Sequence, residues 1–93
     1  MKQNKHFISR LADTADLSDE AIPGVPLIEI AGDRRVLIEH HCGVSEYSCE
    51  NICVNVKFGA VLVQGSHLEL TKITREQLII SGCIESVNLM RRG

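Results

Sequence analysis

The amino-acid sequence predicts an all-β domain, with seven or eight short, mostly antiparallel strands in a compact sandwich or open barrel, preceded by one N-terminal helix. Three observations lead there. Runs such as Ile52-Cys53-Val54-Asn55-Val56 alternate apolar with polar residues, and a period of two sends alternate side chains to opposite faces of a sheet. Glycine-bearing turn signals at Gly32, Gly43, Gly59, Gly65 and Gly82 punctuate the chain, and the strand segments between turns recur at intervals of about eight to twelve residues. Phe7, Tyr47 and Phe58 are the only aromatic residues among 93, so the core has to be built from Ile, Leu and Val, the aliphatics that suit a pleated surface.

The helix comes first. Phe7, Ile8, Leu11, Ala12 and Ala15 fall at spacings of three and four residues over positions 4–17, one side of a helix. Lys2, Lys5 and Arg10 lie toward its start and Asp13, Asp16, Asp19 and Glu20 follow, which opposes the helix dipole and makes this helix dependent on docking. Pro23-Gly24-Val25-Pro26 then forbids helix and hands on an extended chain. The domain division is therefore a helix and linker over residues 1–24 and a single β domain over residues 25–93.

The strands follow in order. Ile28 and Ile30 alternate up to the turn at Gly32-Asp33, Val36 and Ile38 resume the pattern, and His41-Cys42-Gly43 breaks it. Val44–Tyr47 forms a short third segment, and Ile52–Val56 gives the cleanest alternation. Phe58-Gly59 turns the chain into Ala60–Gln64, and Gly65-Ser66 turns it again before Leu68 and Leu70. Gln77–Ser81 and Ile84–Leu89 complete the set, joined at Gly82. Ile84 is out of phase with Val87 and Leu89, which places a bulge near Glu85-Ser86. Glu50-Asn51-Ile52-Cys53-Val54 resembles Glu76-Gln77-Leu78-Ile79-Ile80, twenty-six residues later. The pair reads as duplicated hairpins or, alternatively, as coils of a short β-solenoid-like stack.

Several strands carry an apolar residue on the second face as well: Leu37, Leu62 and Ile79. Left in water, each would forgo a burial worth about 1.5–3 kcal/mol. Their cover is the other layer of the sandwich, the helix through Phe7, Ile8 and Leu11, or a partner. Those six residues are the candidate partner-binding set.

Composition removes several functions. Twelve acidic and ten basic side chains leave a net charge of −2, without the basic excess of a dedicated nucleic-acid binder or the aromatic platforms that stack single strands. No apolar run approaches the roughly 20 residues of a membrane helix, and the start reads without a signal peptide. The four cysteines, Cys42, Cys49, Cys53 and Cys83, match no disulfide or knuckle spacing and are expected as reduced thiols of a cytoplasmic protein. His41, Cys42, Cys49 and Cys53 supply soft ligands, so a metal- or ligand-binding β domain stands as a third hypothesis. Against it, neighbours such as His40 and His41 on an extended chain point apart, and no metal or cofactor is expected. No nucleophile turn or phosphate loop occurs, so the expectation is a protein that is not an enzyme. The basic pairs Arg34-Arg35 and Arg91-Arg92 suit edge protection. Lys2, Lys5 and Arg10 beside Phe7 allow weak peripheral contact with an anionic membrane.

The ordered motifs Val25-Pro26-Leu27-Ile28, Gly32, the run Leu37–Tyr47, Ile52, Gly59, the stretch Val63–Leu70, Ile73, Glu76 and Gly82–Val87 carry a resemblance. Over residues 25–89 the chain resembles the YabP/YqfC family of sporulation proteins, and with the preceding helix it is most similar to the YqfC branch. His41 matches a family histidine, whereas Cys42 stands where a polar or basic residue is more common, which speaks against a family-wide cysteine chemistry. The resemblance implies an endospore-forming Firmicutes source and action in the cytoplasm of the mother cell. It also implies a YqfD-like membrane protein as partner and no catalytic residues. The expected function is then a non-enzymatic sporulation factor, a protein-interaction module docked on that membrane protein at the forespore surface. The alternative is a self-assembling structural β module, a homo-oligomer of a coat or ring layer.

Overall fold

The computed structural model describes residues 25–92, and the expected helix with Phe7, Ile8 and Leu11 lies outside them. The described chain is all-β: β1 (Leu27–Ala31), β2 (Arg35–Glu39), β3 (Val44–Tyr47), β4 (Asn51–Val56), β5 (Gly59–Ile73) and β6 (Gln77–Arg91). They form one open sheet in the order β1-β2-β6-β5-β4-β3, and every neighbouring pair is antiparallel.

Six strands stand where seven or eight segments were expected, and the reason is local. Gly65-Ser66 and Gly82 are not turns; β5 and β6 run straight through them as 15-residue strands. What occurs there is a series of register shifts. Ser86 pairs with Gln64 and Ile84 with Gly65, which leaves Glu85 as the extra residue of a bulge at the anticipated place. A second irregularity lies between Ser66 and Glu69, where His67 takes a left-handed backbone with φ 55°. Glycine is required at both crossings. A Cβ on Gly65 would overlap the Cys83 carbonyl, and one on Gly82, whose φ is +142°, would press on the His67 carbonyl.

These shifts make two short half-sheets out of one. In the first half, the start of β5 lies between β4 and the end of β6; in the second, the start of β6 lies between β2 and the end of β5. Inward-facing residues are odd-numbered early in β5 (Val61, Val63) and even-numbered after the bulge (Leu68, Leu70), so one face of the curled sheet stays apolar throughout. Val36, Ile38, Leu78 and Ile80 from one half join Ile52, Val54, Val56, Val61 and Val63 from the other in a single buried cluster, closed by Leu68 at the bend. The antiparallel pairing throughout excludes the solenoid-like stack and fits duplicated hairpins.

Two of the four hairpin turns, β3–β4 and β5–β6, are built alike. Ser48 Oγ accepts from the Asn51 amide at 2.9 Å and donates to its carbonyl at 3.2 Å, while the Ser48 amide reaches the same carbonyl at 2.8 Å. Thr74 Oγ1 repeats all three bonds with Gln77, at 3.0, 3.1 and 2.7 Å. A hydroxyl three residues before an amide-bearing residue thus fixes both turns, which gives the Glu50–Val54 and Glu76–Ile80 likeness a structural cause.

Candidate functional site

On the outer face of the second half, antiparallel register lays the side chains in rows. Leu37 of β2 sits directly opposite Ile79 of β6, both half-buried, with Glu29 of β1 on one flank and Lys72 of β5 on the other. The next row is Leu27, Glu39 and Gln77, where the Gln77 amide donates to Glu39 Oε2 at 3.1 Å. On the other side lie Arg35 and Ser81, and the Ser81 hydroxyl is 3.1 Å from that of Thr71. The result is an aliphatic pair ringed by both signs of charge, the composition of a small docking face with a polar rim.

Leu62, the third second-face candidate, is not part of it. It lies in the first half, between Cys53 of β4 and Asn88 of β6. Its immediate neighbours are uncharged, with Glu46 of β3 only at the far end of the row: Gln64 Nε2 donates to Asn51 Oδ1 at 3.0 Å, while Gln64 Oε1 accepts from Ser86 at 3.2 Å and Asn88 at 3.3 Å. The structure therefore brings Leu37 and Ile79 together and sets Leu62 apart. Phe7, Ile8 and Leu11 fall outside the described residues.

A half-open cleft of about 280 Å³ adjoins the Leu37–Ile79 face, lined by Glu39, His40, Lys72, Thr74, Glu76 and Gln77. It forms where the link from β2 to β3 meets the turn between β5 and β6, and the His40 amide donates to the Glu76 carbonyl at 2.6 Å there. His40 holds φ 64°, a left-handed conformation that lets the chain leave β2 sharply. Its neighbour has a structural task. The Gly43 amide donates to His41 Nδ1 at 3.0 Å, so the ring proton is on Nε2, which lies 2.8 Å from the Thr74 carbonyl. His41 thereby ties the β2–β3 link to a turn thirty-three residues away. Sequence spacing carries no signal for that contact, because the partner is a backbone carbonyl.

With its ring committed on both nitrogens, His41 is not oriented for a ligand role with the cysteines. Cys42, Cys49 and Cys83 are exposed and Cys53 is half-buried, all four as free thiols. Among the described residues no three His, Cys, Asp or Glu side chains gather as a metal would need, and no helix is long and apolar enough to cross a membrane.

Residues 25–93 match the family model described as the YabP family. The chain belongs to the YabP family. Membership makes it a sporulation-associated protein, in agreement with the resemblance read from the strand and turn motifs. No curated protein and no solved structure gives a significant match. In this YabP-family protein, the matched region begins at Val25, so it takes in all six strands and all four hairpin turns.

Proposed function

We propose that this YabP-family protein is a non-enzymatic sporulation factor that acts in the mother cell as an interaction module. In this reading its outer face around Leu37 and Ile79 docks on a membrane protein of the YqfD type at the forespore surface. The observation that carries it is the aliphatic pair itself. Leu37 and Ile79 face outward from a sheet whose interior is already filled, and they are framed by Glu29, Glu39, Arg35 and Lys72. A fold needs no leucine there, whereas a partner gains from covering it. Cytoplasmic residence, peripheral at the forespore membrane, is part of the same proposal, as is the absence of catalysis.

The test is the position of a fluorescent fusion in sporulating cells, with and without the candidate membrane partner. A shell around the forespore that disperses on deletion of the partner, and also in a Leu37→Lys, Ile79→Lys double variant, supports docking through this face. A diffuse signal for the native protein in both strains overturns it.

A further inference from the structure

We propose that the free edge of β6 pairs with the same edge of a second copy, making a two-fold dimer with one continuous sheet. The inference is independent of the docking face, which lies in the other half of the sheet.

The argument begins with the backbone. β2 covers β6 only as far as Ser81, so beyond the bulge the strand has β5 on one side and, among the described residues, no strand on the other. Before the bulge the Gly82 and Ile84 amides point away from β5, to the carbonyls of Arg34 and Asp33 at 3.1 and 2.7 Å. After it, the Arg92 amide points toward β5, to the Phe58 carbonyl at 2.9 Å. The extra residue Glu85 reverses the phase, and regular alternation then leaves the N–H and C=O groups of Val87, Leu89 and Arg91 facing outward.

The other edges in the sheet carry protection that this one lacks. β1 is five residues long, enters from Pro26 and holds Glu29 at its middle. β3 is four residues long with a register shift at Ser45, and the end of β5 is broken by a shift between Leu70 and Lys72. From Ser86 to Arg91, β6 is regular, without proline, bulge or a charge before its last residue. It also carries Leu89, which is 62% exposed although its position is on the inward face, and Met90 beside it on the outward one.

The sequence of this edge complements itself. In an antiparallel pairing centred on Asn88, Val87 of each copy stands opposite Leu89 of the other, as hydrogen-bonded pairs made by the outward amides. In the same register Arg91 of each copy meets the bulge at Glu85 rather than another arginine, so no like charges face each other. A second copy is the one occupant whose sequence is known to supply these partners, and a two-fold is the symmetry that uses them.

Sedimentation equilibrium of the full chain, from micromolar to millimolar concentration under reducing conditions, provides the first reading. A reversible doubling of mass is expected. Leu89→Lys, at a position exposed enough to leave the fold intact, should weaken the dimer by at least about tenfold, whereas Leu37→Lys should not. Register is tested by Asn88→Cys with exposed Cys42, Cys49 and Cys83 changed to serine. The two thiols would meet across the axis on a non-hydrogen-bonded pair, whose Cα separation of about 4.5 Å suits a disulfide. Mild oxidation should give a covalent dimer that is absent in the same background with Asn88 retained. A monomer at every concentration overturns the proposal. So does a dimer that Leu37→Lys abolishes and Leu89→Lys leaves unchanged.

Discussion

The two halves of the sheet share one interior but differ in what they show to the outside. Behind Val36, Ile38, Leu78 and Ile80 lies an aliphatic pair, Leu37 and Ile79, ringed by Glu29, Arg35, Glu39 and Lys72. Behind Ile52, Val54, Val61 and Val63 lies a neutral layer of Asn51, Gln64, Ser86 and Asn88, joined by their own hydrogen bonds around Leu62. The second kind of surface satisfies itself; the first leaves its apolar centre and most of its charges uncommitted. The inward face is what both halves need to fold, so the difference between them lies in the outward faces alone.

Variants can break or sharpen that contrast. The largest effect is expected at the crossing the halves share: Gly65→Val would drive a side chain into the Cys83 carbonyl and should cost several kcal/mol, leaving no cooperative thermal transition at ordinary temperature. Next come the interiors. Leu78→Ala in one half and Ile52→Ala in the other should each lose about 2–5 kcal/mol in chemical denaturation, because both are fully buried in one cluster. Unequal losses well outside that range would mean that the halves do not share a core. His41→Ala removes one hydrogen bond between the β2–β3 link and the β5–β6 turn and one within the link, at about 1–2 kcal/mol in the same assay.

The smallest stability effect belongs to the outward faces. Leu37→Lys with Ile79→Lys should change stability by no more than about 1–2 kcal/mol, since both are half-buried, while abolishing docking. Leu62→Lys is expected to leave docking intact, and loss of docking in that variant would shift the candidate face to the neutral half.

The strands were legible because a period of two survives in every one of them, from Ile28–Ile30 to Ile52–Val56. Gly65 and Gly82 misled because glycine serves both a turn and a bulge. The distinguishing signal was the change of apolar phase from Val61-Val63 to Leu68-Leu70, which a strand crossing a bulge produces without reversing direction. Two of the real reversals, β3–β4 and β5–β6, carried a different mark, the hydroxyl of Ser48 or Thr74 three residues ahead of Asn51 or Gln77, whereas β1–β2 and β4–β5 turn at Gly32 and Gly59. Of the candidate face, Leu37 and Ile79 could be named from their off-phase positions. Their pairing, and the separation of Leu62, depended on β2 lying beside β6 rather than β4, a long-range choice that local pattern does not encode.

One consequence of the long β5–β6 hairpin concerns how the molecule melts. Each of these strands lends one stretch to each half, so neither half is a contiguous piece of chain that could detach and persist. The hairpin acts as a shared spine, and opening either end removes the lateral support of the other. Amide exchange should therefore slow to a single common rate across β2, β4, β5 and β6, the signature of one cooperative unit, with faster exchange confined to the short outer strands β1 and β3.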